Sequence, residues 1–135
     1  MTGLTVKVKS LKVNWSLVLS DSWTTVHGKL STPTSVSNPE TRLQQSIIRR
    51  LHSEVGGWWV KYHGSAITRA GIPDILGGCE GFFFAFEVKT PKGKTTKIQD
   101  YTIQELNDSG AGKAHVVDNP DDAVKIVQDA LQEAQ

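Results

Sequence analysis

Residues 82–89, FFFAFEVK, decide how the rest of the chain is to be read. Aromatic side chains favour extended backbone, and a run that is apolar on both faces belongs to a strand buried in the middle of a sheet. Alternate residues of a strand share a face. Phe82, Phe84, Phe86 and Val88 therefore fall on one side, and Phe83, Ala85, Glu87 and Lys89 on the other. Two ionisable groups thus end an otherwise apolar strand, where charge is costly unless it is paired or binds a metal.

Working outward, Pro73-Asp74 precedes Glu87-Val88-Lys89 with twelve residues between Asp74 and Glu87. Residues 72–76 read as a short strand closed by Gly77 and Gly78, and the connection through Gly77, Gly78 and Gly81 is hairpin-like. Antiparallel pairing of 72–76 with 83–89 brings Asp74 beside Glu87. Two converging carboxylates can hold a hard divalent cation that keeps several waters and takes up a substrate phosphate. Such an ion polarises the phosphate and lowers the pKa of its water. A lysine alongside can orient that water or stabilise charge on phosphorus. The competing reading makes Glu87 and Lys89 an exposed ion pair at a strand end, and Asp74 a turn residue.

The remaining elements follow from periodicity and caps. Asn38 is a good helix N-cap, Pro39 suits the first helical position and Glu40 complements the positive helix end. Leu43, Ile47, Leu51 and Val55, with Ile48 beside them, form one apolar face, and Gly56-Gly57 ends the helix. Residues 58–63 read as a strand, 64–71 as a loop, and 96–109 as a second helix with Ile98, Thr102 and Leu106 along one side. Residues 113–117 form a further strand. Asn119-Pro120 opens a last helix whose stripe is Ala123, Val124, Val127, Ala130 and Leu131. The order α-β-β-β-α-β-α is that of an α/β layered domain. Ahead of it, residues 1–37 differ in character. Leu4, Val6 and Val8, then Leu11, Val13, Trp15, Leu17 and Leu19, alternate as in a half-buried strand pair, and 31–38 reads as a linker. The expected division is an extension over 1–37 and a domain over 38–135.

At 135 residues, 38% hydrophobic and 21% charged, the chain has the size and balance of one globular domain. A single cysteine, Cys79, excludes an internal disulfide framework and a cysteine-based zinc site, and fits a reducing compartment such as the cytoplasm. No apolar run is long enough to span a membrane. No signal peptide is expected, because Lys7, Lys9, Lys12 and Asn14 interrupt the stretch from Leu4 to Leu19. The net charge of +1 conceals an asymmetry. Between Lys61 and Gln99, six bases (Lys61, Arg69, Lys89, Lys92, Lys94 and Lys97) face three acids, whereas 100–135 carries eight acids against Lys113 and Lys125. A phosphate-binding face is one reading of the basic stretch, and a chance fluctuation in solvated charge the other.

GIPDILGG (71–78) followed by FEVKTPKGKTTKIQ (86–99) resembles the virus-type replication-repair nuclease domain, VRR-NUC, of the restriction-endonuclease-like PD-(D/E)xK superfamily. The resemblance covers roughly residues 38–118. It implies a restriction-endonuclease-like core, a mixed central sheet flanked by helices, and dependence on Mg²⁺ or Mn²⁺. It implies that Asp74, Glu87 and the main-chain carbonyl of Val88 coordinate the metal and that Lys89 is the catalytic lysine. Glu40 would assist through water or a second metal, and Gln99 would support the site. DNA as substrate, homodimerisation, action on branched DNA such as four-way junctions, and a DNA-repair setting in a bacterial or phage-infected cell are implied in the same way.

Lys92, Lys94 and Lys97, in or beside the loop after the active strand, are candidate phosphate contacts, as is Lys61, which would share a strand face with His63. Trp58 and Trp59 face opposite ways, so one is expected in the core. The expected activity is a Mg²⁺-dependent DNA endonuclease. Its rivals are a sequence-specific restriction-type nuclease on the same core and a nucleic-acid-binding module that does not cleave.

Overall fold

The first helix starts where the caps predict. The Asn38 side chain accepts the Glu40 N–H at 3.2 Å, and Pro39 occupies the first turn of α1 (Pro39–Glu54). The structure, a computed structural model, describes residues 37–135. The expected N-terminal strand pair, and all of the expected linker but its last two residues, lie outside the described residues. Six further elements follow α1: β1 (Trp58–Lys61), β2 (Ile75–Cys79), β3 (Phe82–Val88), α2 (Lys97–Asp108), β4 (Lys113–Val117) and α3 (Pro120–Glu133). This is the α-β-β-β-α-β-α order read from the sequence. No helix among the described residues is long and apolar enough to cross a membrane.

The strands form one sheet in the order β1-β2-β3-β4. β1, β2 and β3 are antiparallel, and β4 returns parallel to β3 after the α2 crossover. β3 is an interior strand, buried from Phe84 to Val88, while Phe82 and Phe83 at its start are exposed, against the expectation that the whole run is buried. Phe84, Phe86 and Val88 are fully buried together with Ile47 and Leu51 of α1 and Ala123, Val124 and Val127 of α3. Each such phenylalanine contributes roughly 1.5–3 kcal/mol by leaving water. Trp59 completes this layer, its ring centroid 6.0 Å from Phe84 and 6.1 Å from Phe86. The two tryptophans part as expected: Trp59 is 4% exposed and Trp58 62%.

The second strand departs from the expected 72–76. β2 covers 75–79, so Gly77 and Gly78 lie inside it rather than closing it. A side chain at Gly77 would meet the Trp59 ring and the Trp58 carbonyl at 2.4 Å, so bare backbone is what lets the indole cover the strand. The ring is held there by Trp59 Nε1 donating to the Gly56 carbonyl at 2.6 Å. The turn falls instead at Glu80-Gly81, between the paired Cys79 and Phe82. Both turn residues have positive φ (50° and 86°), the two-residue geometry whose twist matches a hairpin. β1 is likewise shorter than the expected 58–63.

Helix α2 covers the opposite face of the sheet and buries little of its own surface. Thr102 is its buried residue, and Ile98, expected on the packed side, is exposed. The loop before β2 packs against the helix backbone instead. Gly71, at φ +84°, brings its backbone against the Ile98–Thr102 turn so closely that a side chain there would lie 2.8 Å from the Ile98 carbonyl. Farther along, Asn107 is bonded to both main-chain groups of Ala114, at 2.7 and 3.0 Å, tying the helix to β4.

Gly77→Ala should destabilise the fold by about 1–3 kcal/mol through overpacking against Trp59. Urea denaturation checks this as a lowered midpoint with an unchanged m-value.

Candidate active site

The register of the central hairpin sets the site. Ile75 pairs with Phe86, so Asp74, one residue before β2, stands opposite Glu87. The Asp74 carbonyl accepts the Tyr62 N–H at 2.7 Å, which fixes its backbone to the chain leaving β1. Its Oδ2 accepts the Val88 N–H at 2.9 Å. The aspartate therefore closes the end of the β2–β3 ladder with its side chain. In an extended strand the carbonyl of Val88 faces the same neighbour as its N–H.

Glu87 is 1% exposed. Its Oε1 receives two donors, Lys89 Nζ and Gln99 Nε2, both at 2.5 Å. Its Oε2 is buried and has no hydrogen-bond partner among the described residues. Burial pushes the Glu87 carboxyl above the usual carboxylate range. The Lys89 hydrogen bond pulls it back, while the charges of Asp74 and Glu40 add to the rise. For Lys89, burial acts to lower the pKa, but the hydrogen bond and charge of Glu87, with Glu40 and Asp74 behind it, hold it above the ordinary lysine value. At neutral pH the Lys89 side chain is therefore an ammonium. It can stabilise negative charge and donate hydrogen bonds, but it is not a base.

Gln99 reaches the site because of how α2 begins. Thr96 is the N-cap, and Thr96 and Gln99 form a reciprocal capping box. Thr96 is a residue of the site that the sequence reading did not single out, although Thr-x-x-Gln ahead of a helix is a legible signal. Tyr62 was also missed. Its neighbour Lys61 pairs with Ile75 and so lies on the Phe86 face of the sheet, opposite to Glu87. The structure does not bring Lys61 to the cluster. Glu40 is partly buried in the first turn of α1 and acts on Glu87 and Lys89 through its charge, with no hydrogen bond to either. That position also suits its simpler part in complementing the helix end. Lys92, Lys94 and Lys97 are exposed beyond the tip of β3. The cluster is flanked by two open concavities. One is bordered by Tyr62, Thr68, Arg69 and Asp74, the other by Lys89, Thr90, Gly93 and Asp118. An ion pair from Arg69 to Glu105 of α2 holds the first border in place.

A solved structure described as a VRR_NUC domain has a similar fold, with TM-score 0.55 and 24% identity over 66% of this chain and 94% of that one. The fold is that of a VRR_NUC domain. A second structure, a VRR_NUC domain protein, matches with TM-score 0.54 and 16% identity over 67% of this chain and 85% of that one. Hjc of Archaeoglobus fulgidus, a Holliday junction resolvase, matches with TM-score 0.48 and 20% identity over 58% of this chain and 67% of that one. No protein-family model and no curated protein matches the sequence. Within the VRR_NUC fold, the strand tip carrying Asp74, Glu87 and Lys89 has the chemistry to gather a cation and a phosphate.

The folded pKa of Glu87 lies above its unfolded value of 4.5, because burial outweighs the Lys89 hydrogen bond. This carboxyl's contribution is therefore most favourable below pH 4.5 and is lost as pH rises through the raised value. In EDTA, the parent's thermal stability should show that loss as pH rises from about 4 towards 7, and Glu87→Gln, which has no carboxyl to titrate, should not. Thermal unfolding across that range measures it.

Proposed function

We propose that the chain is a Mg²⁺-dependent DNA endonuclease that hydrolyses phosphodiester bonds, with Mn²⁺ able to substitute. The observation that carries this reading is the buried Glu87 carboxylate. One oxygen is clamped by two donors, the other has no partner, and Asp74 stands opposite. An unsatisfied buried oxygen in a carboxylate pair is unfavourable in isolation, and coordination of a cation is the role that would satisfy it.

The donor set suits a hard divalent ion. No group of three or more His, Cys, Asp or Glu side chains able to hold a metal exists among the described residues. The protein offers Asp74 and Glu87, with the Val88 carbonyl beside them. Mg²⁺ is commonly held by one or two carboxylates, with water and substrate phosphate completing its shell. When bound, such an ion supplies Lewis-acid polarisation of the phosphate and a lowered pKa for its water.

The chain's own groups do the rest. Asp74 is fixed by the Val88 N–H and the Tyr62 N–H, so it meets a ligand without reorganising. Lys89, held as an ammonium by Glu87, is placed to stabilise charge that develops on a phosphate at the strand tip. Exposed Lys92, Lys94 and Lys97 supply positive charge along the path of a DNA backbone. Substrate selectivity for branched DNA such as four-way junctions, and action as a homodimer, belong to the same proposal and rest on the sequence resemblance.

Plasmid and a synthetic four-way junction, each incubated with Mg²⁺ or EDTA, test the reading. Cleavage should require the metal and fall roughly 10²–10³-fold or more in Asp74→Ala and Lys89→Ala. Lys89→Ala should still retard the junction in a gel. Metal-independent binding with no cutting by the parent would instead identify a binding module, and discrete sequence-defined plasmid fragments a restriction-type enzyme.

A further inference from the structure

We propose that the Thr96 hydroxyl is a positioning group for the reaction. By fixing which way the Gln99 amide faces, it holds Glu87 so that its second oxygen is the one left for the metal. The assignment rests on the nuclease reading above.

The geometry leaves the amide little choice. Gln99 Oε1 accepts from the Thr96 N–H at 2.8 Å and from the Thr96 hydroxyl at 3.2 Å. The hydroxyl oxygen in turn accepts the Gln99 N–H at 3.4 Å. A primary amide has an accepting end and a donating end. With Oε1 satisfied twice at Thr96, the donating end faces Glu87 Oε1, at 2.5 Å. Turned over, the amide would set its oxygen against a carboxylate in a site that is buried on that side. A capping box ordinarily serves only the helix it starts. Here the same glutamine has its far end on a buried charged group of the sheet, so the cap and the site share one side chain. The main-chain N–H at 96 survives any substitution, which makes the hydroxyl the part that can be removed.

Two roles of the hydroxyl can be separated, because capping needs a side-chain acceptor at position 96 and the second bond to Gln99 Oε1 needs a side-chain donor. Thr96→Ser keeps both. Thr96→Val loses both and leaves the main-chain N–H as the one partner of Oε1 at position 96. Thr96→Asp keeps the acceptor, and hence the cap, but presents a carboxylate to Gln99 Oε1. The experiment compares these three variants with the parent in two measurements. One is the ¹⁵N–¹H spectrum of the Gln99 side-chain amide in metal-free protein. The other is the Mg²⁺ concentration needed for half-maximal junction cleavage, with thermal unfolding as the control for the helix.

In the parent and in Thr96→Ser, one Gln99 amide proton should be shifted downfield and slow to exchange. Thr96→Val and Thr96→Asp should lose that signature, and each should need about 10-fold more Mg²⁺, the usual effect of removing support behind a metal ligand. Thr96→Asp should do so while melting with the parent. If Thr96→Asp keeps the parent's amide signature and Mg²⁺ dependence, the hydroxyl serves the helix alone and the proposal is overturned. A parent that cuts no DNA overturns the nuclease reading, and the metal-free spectra still decide whether Thr96 orients Gln99.

Discussion

A carboxylate placed in the middle of a sheet is the constraint around which this structure is arranged. Glu87 sits on the central strand, almost completely excluded from water, between Phe86 and Val88 of the core. Burial of that charge is unfavourable by several kcal/mol unless partners compensate. Lys89 compensates from the same strand, two residues on, where alternation puts it on the same face. Gln99 compensates from a separate element. The remaining oxygen has no hydrogen-bond partner among the described residues.

The surrounding architecture decides what can meet that oxygen. A hairpin with a two-residue turn fixes the register of β2 against β3, and the register sets Asp74 opposite Glu87. Gly77 contributes indirectly. By admitting Trp59 over β2 it seals the far side of the sheet with aromatic rings, while the near side, apolar over Leu76, Ala85 and Ala114, turns polar at the tip of β3 where Glu87 and Lys89 stand. One face is thus built for stability and the other for chemistry, and the boundary between them is the plane of β3.

Much of this was legible because strand parity is a strict rule. The sharing of a face by Glu87 and Lys89 follows from the sequence 82–89 alone, and the approach of Asp74 follows from an antiparallel hairpin. The element order and the resemblance to the VRR-NUC domain hold at the level of fold. The misplacement of β2 has a physical cause: glycines read as strand ends unless one knows that a tryptophan from the neighbouring strand will lie on them. Which face Lys61 would take was not legible, because parity within β1 says nothing about which side β2 will present to it. The burial of Gln44 on α1 was not legible either, since it depends on packing in a layer that no single helix defines. The unpartnered oxygen of Glu87 is a property of the assembled site and has no signature in the chain.

Helix α2 has a character of its own. Beyond Thr102 it buries little, and it is attached by a few polar ties: Asn107 to Ala114, Arg69 to Glu105, and the close backbone of Gly71. Elements attached in this way open at lower free energy than the core they rest on. Detachment of α2 would leave the two acids and the lysine standing on an intact sheet, yet it would withdraw the amide from Glu87. Under the proposed function, the support of Glu87 would thus rest on a lightly attached element, and cleavage would fade with temperature or denaturant before the sheet itself gives way.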